Sequence, residues 1–273
     1  MSRVLVVGGA GYIGAHVCDV LVQGGYQVRI YDDFSNGLRR RVDGKFNDIV
    51  VGDISDRKTL IDALDGVDSI IHLAAKKAVG ESVENPLKYY ENNVGGTLNL
   101  IAAMASKGVK RIVFSSSAAV YSPNDKPAIE EDDPTIPLSP YGETKLLSEQ
   151  LINKVSKAES ISAISLRYFN VVGATKPEFG DNSKDNLVPK VFTAFREGKR
   201  PEIFGNDYPT KDGTCIRDYI HVGDLAEAHL LALKKAESSI LNQVYNVGSG
   251  TGYSVKEMMD QMSQSMKVDL NPI

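Results

Sequence analysis

The sequence predicts a Rossmann-type α/β fold, a doubly wound parallel sheet carrying a smaller C-terminal substrate-binding cap. Three observations lead there. Val4-Leu5-Val6-Val7 is a short β-branched run that stops at Gly8, as a strand buried on both faces does. Residues 12–23 then show helical spacing, with Ile13, Val17, Val20 and Leu21 on one side and Gly24-Gly25 at the end. Finally, the alternation repeats, through apolar runs at 28–31, 49–51, 69–73 and 111–114 and helix-like stretches at 58–64 and 89–106. Right-handed crossovers place the C-terminal end of every such strand on one edge, where a ligand binds. The rhythm stops near residue 170. A Gly/Pro/Asn-rich loop over 172–185 and helical patterns at 188–196 and 224–235 follow. Residues 1–170 are therefore read as a dinucleotide-binding domain, and 171–273 as the cap, which returns to the first domain near 216–235.

Bulk properties narrow the function classes. A chain of 273 residues, 42% hydrophobic, has enough apolar material for one large core. A net charge of -4 argues against nucleic acid or an anionic membrane as partner, but not against a small anionic ligand held by local cations. Cys18 and Cys215 are the only cysteines, and the four histidines show no ligand spacing, so neither a disulfide scaffold nor a metal site is expected. With no apolar leader and no membrane-length run, a cytoplasmic protein is expected.

Gly8, Gly11 and Gly14 lie between that first strand and helix, where absent Cβ atoms let the backbone turn tightly and approach a pyrophosphate. The spacing is Gly-x-x-Gly-x-x-Gly, and an ordinary glycine turn is the competing reading. Asp32 ends the second strand, placed to accept the adenosine ribose hydroxyls and repel a 2′-phosphate, which favours NAD over NADP. Arg39, Arg40 and Arg41 read as a solvated face rather than a phosphate clamp. Asp53 either hydrogen-bonds the adenine amino group or caps Ser55. Tyr141 and Lys145, four apart in a helical pattern, share one face. A lysine ammonium there, together with the positive charge of an oxidised nicotinamide, is expected to lower the phenol's pKa and make it a general base, with Ser117 completing a proton relay.

These motifs resemble the extended short-chain dehydrogenase/reductase family, and within it the sugar-nucleotide epimerases. The resemblance runs through residues 8–14, 72–82, 89–94, 114–121, 141–145 and 166–170, and most distinctively through 203–214 into 217–222. It implies catalysis by Ser117, Tyr141 and Lys145, with tightly held NAD as cofactor. The cofactor set it implies is Gly8, Gly11, Tyr12, Ile13, Gly14, Asp32, Asp33, Asn36, Asp53, Ile54, Leu73, Ala74, Ala75, Lys77, Asn92, Ser115, Tyr141, Lys145 and Phe169. Substrate contacts are implied for Ser117, Tyr141, Asn170, Asn186, Leu187, Phe204 and Arg217; an ion pair with Asp218 or Asp224 is the competing reading for Arg217.

The implied reaction inverts C4 of a UDP-hexose, interconverting UDP-galactose and UDP-glucose through a 4-keto sugar. Dehydratases of the family carry an Asp-Glu pair where this chain has Ala118 and Ala119, so elimination has no acid or base there. Relatives normally continue some tens of residues beyond the position of Ile273, so a short form lacking a C-terminal segment is expected. That leaves another epimerase or reductase of the family, or a non-catalytic NAD-binding protein, as alternatives. A homodimer through helices at 86–106 and 141–155 is also implied.

Overall fold

β1 (Arg3–Val7) is the sheet's pivot, paired in parallel with β2 (Gln27–Asp32) on one side and β4 (Ser69–His72) on the other. The computed structural model describes residues 1–122, 126 and 128–273. β3 (Ile49–Val51), β5 (Arg111–Ser115), β6 (Ser162–Tyr168) and β9 (Asn242–Val247) extend this to seven parallel strands in the order β3-β2-β1-β4-β5-β6-β9. The order reverses direction at β1/β4, which opens a crevice between the loops that follow those two strands.

The helices are α1 (Tyr12–Gln23), α2 (Arg39–Val42), α3 (Arg57–Ala63), α4 (Val79–Glu84), α5 (Pro86–Tyr89), α6 (Gly96–Lys107), α7 (Pro140–Glu159), α8 (Leu187–Arg196), α9 (Val222–Ser238) and α10 (Val255–Met266). Alternating strand residues feed two cores. Val4, Val6, Ile30, Val113 and Ile164 pack with Val17 and Leu21 of α1 and Ala226 and Leu233 of α9. Leu5, Val7, Ile70, Ile112 and Phe114 face the other way, onto Leu60 of α3, Leu100 and Met104 of α6 and Ile152 of α7. Such two-sided burial is why these strands read as continuous apolar runs.

Several elements differ from the sequence pattern. The helical stretch at 89–106 is broken by a π-helical turn at Tyr90–Gly95 before α6 begins. The chain also returns to the sheet further along than 216–235, because β9 pairs with β6 as far as Val247. β7 (Asn170–Val172), β8 (Ile216–His221) and β10 (Gly252–Ser254) form a small second sheet, and α8 and α10 share a separate small core of Val191, Met259, Met262 and Leu270. Among the described residues no helix is long and apolar enough to cross a membrane.

Ile70 on β4 is fully buried in the second core. Ile70→Ala is expected to lower stability by about 2–5 kcal/mol, read from urea unfolding midpoints at unchanged m-value.

Candidate active site

The crevice begins with glycine geometry. Gly8 leaves β1 at φ 88°, and a Cβ there would sit 2.7 Å from the amide nitrogen of Ala74 in the loop after β4. Gly14, in the first turn of α1, is pressed on the same loop: a Cβ would overlap the Gly8 carbonyl oxygen and come within 2.8 Å of Gly9 Cα. Gly11 caps α1 without a side-chain hydrogen bond, and the first turn carries no acidic residue. The free N–H groups and positive end of α1 are left for an anion. Tyr12 and Ile13 form that turn, the Tyr12 hydroxyl donating to the Gly173 carbonyl at 2.7 Å.

Asp32 braces this loop, accepting from the Ala10 N–H and the Phe34 N–H at 2.9 Å each. Burial pushes its carboxyl above the ordinary range, and the two backbone donors pull it back. Asp33 accepts from the Ser35 N–H and hydroxyl. Asp53 does cap its turn, accepting from the Ser55 N–H at 2.7 Å, and it also lines the crevice. Gly8, Gly11, Asp32, Asp33, Asn36, Asp53, Ile54, Leu73, Ala74, Ala75 and Asn92 all meet in this one cleft. Lys76 lines it too, whereas Lys77 is exposed outside it.

Two readings of the sequence are corrected here. Arg39 and Arg40 are exposed, but Arg41 is fully buried. Its guanidinium donates to the Gly180 carbonyl at 2.6 Å and the Asn182 side chain at 2.9 Å, because the loop ahead of α8 folds down over α2. Ser115 is fully buried as well, so its side chain does not line the cleft. Strand alternation turns its hydroxyl to the α9 side, where it meets Nε2 of His229 at 2.7 Å.

The carbonyl of Ser115 points the other way and accepts from Lys145 Nζ at 2.7 Å. Ser139 caps α7 through the Gly142 N–H with Pro140 in the first turn, which fixes where Tyr141 and Lys145 emerge. Both are buried, Lys145 at 3% exposure and Tyr141 at 8%. Burial raises the Tyr141 phenol, and a hydrogen bond from Ser117 works against it. Burial draws Lys145 down to about 7, with Glu149 pulling it up. In the protein itself burial sets the direction for Tyr141, which is upward. Desolvation dominates both groups, and a lysine near 7 is only partly charged at neutrality.

Asn93 is a site residue that the pattern did not single out. It lies in the π-helical turn at 3% exposure and clamps Lys76, accepting from its N–H at 2.9 Å and donating to its carbonyl at 3.0 Å. The same amide donates to Thr144 of α7 at 3.0 Å, joining the cleft loop to the helix that carries Tyr141 and Lys145. Two adjacent asparagines inside a helical stretch were the available signal, since Asn is a poor helix former.

The proposed substrate residues lie outside the cleft. Phe169, proposed for the cofactor, also lies outside it, just after β6, and Asn170 donates to the Asp218 carbonyl at 3.2 Å. Asn186 precedes Leu187 at the start of α8 and donates to Asp181 at 2.6 Å. Phe204 is 71% exposed with Lys190 Nζ 5.6 Å from its ring centre. Arg217 is exposed on β8, donates to the Ile216 carbonyl and forms no ion pair among the described residues. Asp218 instead anchors the N–H groups of Ser249 and Gly250 at 2.8 Å.

A parallel seven-stranded sheet, a glycine cradle at its switch point and a buried Ser/Tyr/Lys set define a dinucleotide-dependent enzyme of the short-chain dehydrogenase/reductase class. Comparison narrows this further. The sequence model of the NAD dependent epimerase/dehydratase family matches residues 4–248, and the chain belongs to that family. It is 44% identical over 270 residues to the UDP-glucose 4-epimerase of Bacillus subtilis (strain 168), covering 94% of this chain and 80% of that protein. The crystal structure of UDP-glucose 4-epimerase from Brucella ovis in complex with NAD superimposes with a TM-score of 0.91 at 39% identity, covering 97% and 82% of the two chains. The enzyme from Bifidobacterium longum in complex with NAD+ and UDP gives 0.91 at 37% identity, covering 100% and 85%.

Because Gly14 has no room for a Cβ, Gly14→Ala is expected to weaken NAD binding at least about tenfold, measured by calorimetric titration. A pH effect follows from the buried histidines. Burial lowers His72 to about 3 and His229 to about 4, while the unfolded chain protonates near the ordinary value of about 6.5. Below that value the unfolded state binds more protons than the native state, so stability falls as pH drops. Each histidine is expected to cost about 1.4 kcal/mol per pH unit between roughly pH 6 and pH 4, checked by urea melts at pH 7, 6 and 5.

Proposed function

We infer that the chain is an NAD-dependent UDP-hexose 4-epimerase, interconverting UDP-galactose and UDP-glucose. The observation that carries this is the convergence of Ser117, Tyr141 and Lys145 at the end of β5, beside the cleft framed by Gly8, Gly14 and Asp32. The cleft fits NAD: it offers a cradle that Cβ atoms would fill, a helix N-terminus for the pyrophosphate and a braced carboxylate for the ribose. We assign cofactor contacts there to Gly8, Gly11, Tyr12, Ile13, Gly14, Asp32, Asp33, Asn36, Asp53, Ile54, Leu73, Ala74, Ala75 and Asn92, with Phe169 contributing from the end of β6 outside it. When bound, NAD would supply a reversible hydride acceptor and a positive ring that favours tyrosinate.

Tyr141 takes the proton of the sugar 4-hydroxyl and later gives it back. Ser117 hydrogen-bonds the same oxygen and steadies the phenol, and Lys145 supplies the positive charge that tyrosinate requires. The flat 4-keto sugar turns over about its bond to the diphosphate and is reduced on its other face. Arg217, with Asn170, Asn186, Leu187 and Phe204, is assigned to the nucleotide and diphosphate, the arginine because its forked donors suit phosphate oxygens. Ala118 and Ala119 place no ionisable group beside the sugar, which supports epimerisation over elimination.

The proposal extends to a cytoplasmic homodimer. Val83, Leu87 and Leu98, exposed on α4, α5 and α6, are the apolar surface that supports pairing through this helical face. Conversion of UDP-galactose to UDP-glucose, read by separating the two products, tests the reaction. The native chain is expected to convert without net NADH, and Tyr141→Phe to lose at least about a hundredfold in kcat with NAD still bound. Net NADH formation, or full activity in Tyr141→Phe, would sink the reading.

A further inference from the structure

Three consecutive serines at the end of β5 each engage the same helix one turn apart. Ser117 hydrogen-bonds Tyr141, the Ser115 carbonyl accepts from Lys145, and the Ser116 hydroxyl donates to Glu149. The first two pairs belong to the catalytic set. The third does not touch the cleft: Glu149 is 6% exposed and Ser116 fully buried. Glu149 is in turn held by Arg167 of β6, whose Nε and second amino group donate to its two oxygens at 3.0 and 2.7 Å. Arg167 also donates to the Tyr121 hydroxyl at 2.7 Å, and Tyr121 donates to Asn246 of β9 at 2.8 Å. Removing two charges from water to make such a pair brings little net stability. Its position, one turn behind Lys145, is where it has an effect on the reaction.

We propose that Glu149 is a positioning residue for the reaction, locking α7 to the serine strand in register and holding the charge on Lys145 that Tyr141 depends on. The reasoning rests on the epimerase reading above. Geometrically, Glu149 and Arg167 fix the third rung of a ladder whose first two rungs are Tyr141 and Lys145. Electrostatically, the titratable groups about Lys145 are Tyr141 and Glu149 on α7, His72 on β4, Arg167 and Tyr168 on β6, and His229 on α9 behind Ser115. Burial keeps both histidines neutral, and Arg167 is engaged with Glu149. Of these groups, Glu149 is the one that favours the ammonium form of Lys145.

Glu149→Gln keeps the shape and removes the charge. It is expected to reduce kcat about tenfold with KM for UDP-galactose within about twofold, because the loss falls on the reacting groups rather than on binding. Without that negative charge Lys145 gives up its proton more easily, so the alkaline limb of the kcat profile should move about one unit toward acid. Tyrosinate absorbance of Tyr141 should move the opposite way, toward alkali, because the ammonium that favours it is lost, read as the difference between Glu149→Gln and Glu149→Gln/Tyr141→Phe. Ser116→Ala, which leaves the ion pair intact, is expected to lower kcat about threefold and the melting temperature by a few degrees, and it carries the test should Glu149→Gln fail to fold. A native kcat in Ser116→Ala, or a native pH profile and tyrosinate titration in Glu149→Gln, would overturn the proposal. Absence of sugar conversion by the native chain would instead remove the epimerase reading, leaving the tyrosinate titration to decide the role of Glu149.

Discussion

A lysine ammonium inside a protein needs a counterpart, and the way Lys145 finds one organises the rest of this molecule. Its Nζ reaches 2.7 Å to a carbonyl at the end of β5, which is possible only because α7 lies along the strand's exit. That carbonyl stays in place because the Ser115 hydroxyl is pinned on the opposite face by His229 of α9. His229 is neutral and donates from Nδ1 to the Leu225 carbonyl at 2.8 Å, so its bare Nε2 accepts from Ser115. Helices on both faces of the sheet thus meet through one serine. A strand end between two helices is what the doubly wound architecture provides.

The same architecture keeps the two halves of the chemistry adjacent. Parallel strands with right-handed crossovers deliver the glycine loop, the Asp32 carboxylate and the serine run to one edge without any long excursion of the chain. The π-helical turn at Tyr90–Gly95 adds the transverse connection. Asn93 holds the backbone of Lys76 in the cleft loop while touching Thr144, one residue before Lys145. The cleft and the proton-transfer residues are therefore mechanically joined. Arg41 does something similar at the other end, tying the loop at Gly180 to the region of the glycine cradle.

Local signals made much of this legible. A β-branched run ending in glycine, followed by a helix with spaced glycines, encodes β1, the cradle and α1 within about 20 residues. The Tyr141/Lys145 spacing is legible for the same reason, since both lie on one helix. What the sequence hid depends on distant partners. Arg41 reads as surface because arginine usually is, and only the descent of the loop at 180–182 buries it. β9 is short, half-buried and isolated from the strand rhythm, so nothing local marks it as the seventh strand. Glu149 and Arg167 are ordinary residues of a helix and a strand until the fold places them at 2.7 Å. The neighbouring charges favour a lowered Tyr141, but burial, which depends on the fold, dominates at this site.

The central claim is that the hydrogen at C4 leaves the sugar and returns to it within one closed cycle, while Tyr141 handles only the hydroxyl proton. UDP-galactose carrying deuterium at C4, turned over in ordinary water, tests this most directly. The account predicts UDP-glucose that retains the deuterium at C4. Deuterium lost to solvent would contradict it, because a proton-abstraction route at carbon would then replace hydride return.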